Sequence, residues 1–353
     1  MIHLSTPLRR RALLAGAVVA LVSACSATGP APASTSSGAA GAARTTPGSS
    51  GAFPVQIRHA LGTTTIPAAP RRVVTLGQGA AETAVALGTV PVGTETFAWG
   101  ADEDGHLPWV REAVTKAGQP LPTTFPGGEQ VAVEKIAELR PDLILAPWSG
   151  VTKEQYAELS EIAPTVAYEK APWATTWDGE IRVVAKALGK PAEGEQQIRA
   201  IEARFAEAAA AHPQFRGRTF SYVYTTGPGT LGVYLPTEQR VAMIAKLGLT
   251  PDPAVASFAP ADGSDHALIG LENADRLRGS DLIFTWYLDE ASKKQVLAQP
   301  LYAGIPAVRR DTVVTSGDRQ LVTAMSMINP LTVPWALPRL TPLIATQVAR
   351  LGA

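Results

Sequence analysis

The sequence predicts an α/β protein of two lobes joined by a single long helix. Three observations carry this prediction. Short β-branched runs bounded by glycine or proline alternate with stretches whose apolar residues recur at helical spacing. The stretch Ala192 to Ala211 holds no proline and is rich in Ala, Glu, Gln and Arg, so it forms a stiff helix rather than a loose linker. One segment occurs twice, as Glu134 to Ile144 and, with one residue inserted, as Glu272 to Ile283.

The elements follow in order. Arg72 to Leu76 is a β-branched run ending at Gly77. Glu82 to Leu87 reads as a helix stopped by Gly88, and Val90 to Gly93 as a second short strand. Val131 to Leu139 places Val133, Ile136 and Leu139 on one helical face. Pro141-Asp142 then leads into the strand Leu143 to Ala146, and Ser160 to Tyr168 gives a turn and another strand. After the long helix, Thr219 to Tyr224 opens the second lobe. In both copies of the repeat a glutamate opens a helix, an Asp follows the turn, and an apolar strand comes next. The expected division is 53–190, a connecting helix 191–212, and 213–353. Each lobe is Rossmann-like, and the cleft between them is a favoured place for a small ligand.

The N-terminus carries an address. Arg9, Arg10 and Arg11 precede the apolar run Ala12 to Val22, too short to span a bilayer, which needs about 20 residues. Val22-Ser23-Ala24-Cys25 resembles a bacterial lipobox, in which the cysteine thiol receives the lipid. Cys25 is the only cysteine of the chain. Residues 1–24 therefore read as a lipoprotein signal peptide, and the arginines are compatible with either the Sec or the twin-arginine route. Residues 25–52, nearly all Ala, Gly, Ser, Thr and Pro, read as a flexible tether.

Composition and motifs exclude several classes. The 353 residues are 46% hydrophobic and carry no net charge, which is globular and gives nucleic acid no basic cluster to bind. One cysteine cannot form an internal disulfide or a paired-cysteine metal site. Gly77-Gln78-Gly79-Ala80-Ala81-Glu82 imitates a dinucleotide loop but ends on a carboxylate where close helix packing needs a small residue. Gly227 to Gly232 has the glycine spacing without the helix that should follow. No phosphate-binding loop and no nucleophile elbow is present. The histidines, His3, His59, His106, His212 and His266, are scattered and never four residues apart, so a metal would arrive already chelated by an organic ligand.

His59 to Pro67, Pro70-Arg71-Arg72-Val73-Val74, Glu82 to Gly93, Glu134 to Leu145 and Leu159 to Val166 resemble the iron–siderophore and cobalamin binding-protein family of ABC importers. The resemblance runs from about His59 to the end of the chain. It implies two α/β lobes, one connecting helix, little hinge motion and a ligand between the lobes. It also implies capture of an Fe(III)–siderophore complex, iron entering only in chelated form, with delivery to membrane permease subunits and no catalysis. The chain is read as a monomer, lipid-anchored outside the cytoplasmic membrane. The same fold holding cobalamin or haem, or an exported α/β enzyme, are the other readings.

Candidate ligand contacts follow the strands. They are Gln78, Phe97, Trp99, Phe125 and Trp148 in the first lobe, and Tyr224, Trp286, Tyr287 and Arg319 in the second. Rings offer much contact area and few torsions to freeze, which suits a large, partly apolar ligand. Trp148 and Trp286-Tyr287 occupy equivalent places in the repeat, and Arg319, in a loop after Thr312 to Thr315, could pair with siderophore oxygens. The resemblance carries permease docking onto Glu134 and Glu272, against the plainer role of a carboxylate at a helix start, worth ~0.3–1 kcal/mol.

Overall fold

The computed structural model describes residues 52–352 apart from 129, 226 and 262–264. The signal, the tether and Cys25 lie outside the described residues. Two antiparallel strands, β1 (Val55–His59) and β2 (Gly62–Ile66), precede the first lobe. That lobe holds β3 (Val73–Thr75), β4 (Gly93–Thr96), β5 (Thr123–Pro126), β6 (Leu143–Leu145) and β7 (Thr165–Val166). They form one parallel sheet in the order β5-β4-β3-β6-β7. Strands β3 and β6 are buried along their whole length, as expected of a parallel sheet covered on both faces.

The second lobe contains β8 (Thr219–Tyr224), β9 (Gly232–Tyr234), β10 (Thr250–Pro251), β11 (His266–Leu268), β12 (Leu282–Phe284) and β13 (Val313–Val314). Its sheet runs β11-β9-β8-β12-β13, with β10 also on β8. β8, β10, β12 and β13 are parallel, while β9 and β11 are antiparallel additions.

The repeat has a structural meaning. The Asp142 carboxylate accepts the backbone N–H groups of Arg71 and Arg72, both at 2.8 Å, just before β3. The Asp281 carboxylate accepts the N–H of Thr219 at 3.1 Å, where β8 begins. Each Asp thus fastens the entry of its lobe's central strand to the neighbouring strand's approach.

Several boundaries differ from the sequence expectation. The strand predicted at Val90 to Gly93 lies at Gly93–Thr96 instead, because Pro91 has no N–H and pairing with Val74 starts at Gly93. Ser160 belongs to a helix, Lys153–Ile162, and only Thr165–Val166 is strand. That helix is started by a capping box in which Thr152 and Gln155 satisfy each other's backbone N–H, at 3.2 and 2.9 Å. Glu272 opens a 3₁₀ helix, Leu271–Leu277, rather than an α-helix. Arg319 is the first residue of the helix Arg319–Ala324, capped by Asp318, not a loop residue.

The connecting helix is Pro191–Ala211. Gly194 lets it lie directly on the helix Trp177–Ala187, since a Cβ there would collide with Ala185. Its Ile198, Ile201 and Phe205 join one continuous apolar cluster with Trp109 and Val110 of the first lobe and Phe220, Phe284 and Leu340 of the second. Trp109 and Trp335 meet edge to face across the lobes, centroids 5.2 Å apart, and the Trp335 indole N–H donates to Glu112 at 3.3 Å. The lobes therefore share a core.

Two carboxyls sit beside that core. Glu82, 2% exposed, accepts the Trp109 indole N–H at 2.9 Å, and Glu180 is 3% exposed with one oxygen unpartnered. Burial pushes the Glu82 carboxyl up. Burial, reinforced by the charge of Glu82, holds Glu180 well above the ordinary carboxylate range.

Candidate functional site

A cavity of about 830 Å³ opens between the lobes. It lies beyond the carboxyl ends of the parallel strands, where open α/β sheets place ligands. The first lobe contributes Gln78 after β3, Glu95 and Phe97 with Trp99 at and after β4, and Phe125 on β5. The second contributes Trp286 and Leu288 after β12, Arg240, Thr323 and Ser326. Trp99 and Trp286 meet edge to face at 5.7 Å, so an aromatic pair spans the lobes at the cavity wall.

Two charged side chains line this wall among the described residues, and the sequence reading named neither. Glu95 leaves the central part of the first sheet and bridges its neighbours. One of its oxygens accepts the N–H of Gly77 at 2.7 Å, and the other that of Gly128 at 3.0 Å. Gly77 has φ +75°, and a Cβ there would strike the Trp148 carbonyl, so only glycine fits this turn. Arg240 is 24% exposed and lies over the Tyr234 ring at 4.6 Å. Its guanidinium donates to Glu238, itself 2% exposed, at 2.6 Å, and its backbone N–H donates to the other Glu238 oxygen at 2.7 Å. Burial works against the Arg240 charge, and Glu238 together with Tyr234, Tyr222 and Asp265 more than offsets this, leaving the guanidinium pKa raised.

Of the residues named from sequence, Gln78, Phe97, Trp99, Phe125 and Trp286 are brought together on the cavity wall. Arg319 stands at the rim, exposed, its guanidinium 5.8 Å from the Trp99 ring centroid and donating to the Leu288 carbonyl at 3.5 Å. Trp148, Tyr224 and Tyr287 are not brought to this wall. Trp148 packs edge-on against Trp173, centroids 4.8 Å apart, and Trp173 takes the lining position with 46% of its surface exposed. Tyr224 is buried against Tyr234 and His266, and that burial pushes its hydroxyl up to about 12. Tyr287 lines a separate hollow of about 120 Å³ beside Gln299. Glu134 and Glu272 are both exposed, each in the first turn of its helix, and neither is in an ion pair among the described residues.

Arg240 was detectable in part, as the one cation in the stretch Glu238 to Ala245 after Pro236. Glu95 left no sequence signal, because its role depends on two loops distant in the chain. Among the described residues no group of three or more His, Cys, Asp or Glu is placed to hold a metal, and no helix is long and apolar enough to cross a membrane.

Two α/β lobes, one connecting helix and an inter-lobe cavity set the frame for comparison with known proteins. Residues 73–319 match the periplasmic binding protein family. The chain belongs to this family. Within it, the chain is 36% identical over 155 residues to a putative ABC transporter substrate-binding lipoprotein, YhfQ, of Bacillus subtilis. That match covers 43% of the chain and 45% of YhfQ, so the chain spans a little under half the length of this relative. The ferric enterobactin-binding periplasmic protein FepB of Escherichia coli is 27% identical over 280 residues, 75% of the chain and 84% of FepB. Among solved structures, PiaA of Streptococcus pneumoniae in complex with ferrichrome is 28% identical. It covers 84% of this chain and 99% of its own, with a TM-score of 0.77. The two-lobed α/β architecture of this periplasmic binding protein is thus shared with solved members of its family.

Proposed function

We propose that this periplasmic binding protein captures an Fe(III)–siderophore complex in the inter-lobe cavity and delivers it to the permease of an ABC importer without transforming it. The observation that carries this reading is the cavity itself. Its aromatic wall of Phe97, Trp99, Phe125 and Trp286 with a cleft-facing guanidinium, Arg240, suits a bulky chelate with peripheral oxygens. Relatives whose names specify ferric enterobactin binding and a ferrichrome complex support it. Gln78 and the rim residue Arg319 are the polar partners in this reading. Cys25 carries the lipid anchor, residues 25–52 are the tether, and the protein acts as a monomer outside the cytoplasmic membrane. Glu134 and Glu272, exposed and free of ion pairs among the described residues, are the permease contacts, one on each lobe.

The test is quenching of tryptophan fluorescence by ferric siderophores, with haem and cobalamin alongside. Saturation by a ferric complex and not by its iron-free form is the expected outcome. Saturation by haem or cobalamin alone would sink the siderophore reading.

A further inference from the structure

The cavity wall has a charge pattern that selects among ferric complexes. We propose that the cleft takes a chelate of zero or single positive charge, of the tris-hydroxamate class, and rejects the trianionic tris-catecholate class. This deepens the siderophore reading above and rests on it.

The argument is one of matched and unmatched charges. Three hydroxamates cancel the charge of Fe(III), whereas three catecholates leave three negative charges. A trianion needs cations that are free to meet it, because removing it from water without them is costly. Arg240 is already matched by Glu238 at 2.6 Å. Arg319 stands outside the lining at the rim, in no ion pair among the described residues, with its guanidinium 5.8 Å from the Trp99 ring centroid and donating to the Leu288 carbonyl at 3.5 Å. Glu95 is different. Its two oxygens are held by backbone N–H groups of Gly77 and Gly128, and no cation pairs with it among the described residues. Among the described residues the lining therefore carries Glu95 as its one charge without a cationic partner, and the single free cation near it, Arg319 at the rim, falls well short of balancing three negative charges. Phe97, Trp99, Phe125, Trp173 and Trp286 add ring surface, and the remaining polar lining, such as Gln78 and Ser326, is uncharged, which suits an uncharged complex. A neutral chelate still finds donors for its hydroxamate oxygens, in the Arg240 N–H groups not used by Glu238 and in the Gln78 amide.

The experiment titrates the full chain with three iron complexes: neutral ferrichrome, cationic ferrioxamine B and trianionic ferric enterobactin. Each is run at ionic strengths of about 0.02 M and 0.5 M, which changes screening several-fold. Ferrichrome or ferrioxamine B should bind at least about 100-fold tighter than ferric enterobactin at low salt, with the ferrichrome Kd moving less than about twofold between salts. Glu95→Gln should narrow that gap by strengthening the trianion. Leu288→Lys, a change at a 58% exposed position on the cavity mouth, should narrow it without touching the loops that Glu95 holds. Ferric enterobactin binding as tightly as the hydroxamates, or a gap unmoved by both variants, overturns the proposal while the siderophore reading stands. Binding of haem or cobalamin with no ferric complex bound overturns that reading itself.

Discussion

Replacing Glu180 by Gln should stabilise the protein at neutral pH and leave it nearly unchanged in acid. Glu180 is 3% exposed, has an oxygen without a partner, and feels the carboxyl of Glu82. Burial, then that neighbouring charge, raises its folded-state pKa above the unfolded value of about 4.3. The folded state therefore holds the proton more tightly than the unfolded state does. The associated stability is complete below the unfolded pKa and is lost as pH rises towards and through the folded value. In that window each pH unit removes about 1.4 kcal/mol for one proton. Glutamine keeps the shape and has no proton to lose. Urea unfolding of the two proteins, followed by tryptophan fluorescence from about pH 5 to pH 8, reads the difference directly. The parent should lose stability with rising pH more steeply than Glu180→Gln, the curves meeting near the acid end. Parallel curves would refute the reasoning, because they would show that Glu180 titrates alike folded and unfolded.

Four further outcomes are expected. Trp335→Ala removes the edge-to-face contact with Trp109 and should cost about 3–5 kcal/mol, measured by chemical denaturation. Arg240→Gln leaves Glu238 buried without its cation and should lower stability by about 1.5–3 kcal/mol, with Glu238→Gln in the same chain recovering most of the loss. Glu134→Gln with Glu272→Gln should leave siderophore Kd within about twofold while lowering uptake in cells, the outcome expected of the proposed docking pair and not of ligand contacts. Cys25→Ala should abolish incorporation of labelled fatty acid and move the protein from the membrane fraction to the soluble one.

The sequence showed the scaffold more clearly than the site, and particular residues explain why. The connecting helix was legible because some twenty residues, mostly strong helix formers and without an internal proline, favour one conformation, and the helix runs Pro191–Ala211. The repeat was legible because its Asp does the same backbone work in both lobes, as Asp142 and Asp281 show. The helix Lys153–Ile162 was missed, although Thr152 and Gln155 spell a capping box with glutamine in the third position. Residues right after a strand were placed well where the chain has little freedom, as at Gln78 and Trp286. Trp148 shows the limit. Its repeat position matches Trp286, yet Trp173 takes the lining position and Trp148 stands behind it. Trp173 has φ +60°, a left-handed backbone that no local pattern announces. Glu95 and Arg240 were missed because their roles arise from tertiary neighbours, Gly77 with Gly128 for one and the buried Glu238 for the other.

The core shared by the lobes bears on timing. Parting them would wet Trp109 and Trp335, whose burial, at ~200 Å² each and ~25 cal/mol per Å², is worth on the order of 10 kcal/mol together. A frame held this way is expected to close little, so that the residence time of an occupant would be set by its contacts with the wall. Under the siderophore reading, loading would then follow mass action with the supply of the ferric complex. Unloading at the proposed importer has a different mechanical demand. Under the proposed delivery, the loops that Glu95 fastens at Gly77 and Gly128 are the part of the mouth that a permease would have to loosen, with the long helix as a strut between the lobes.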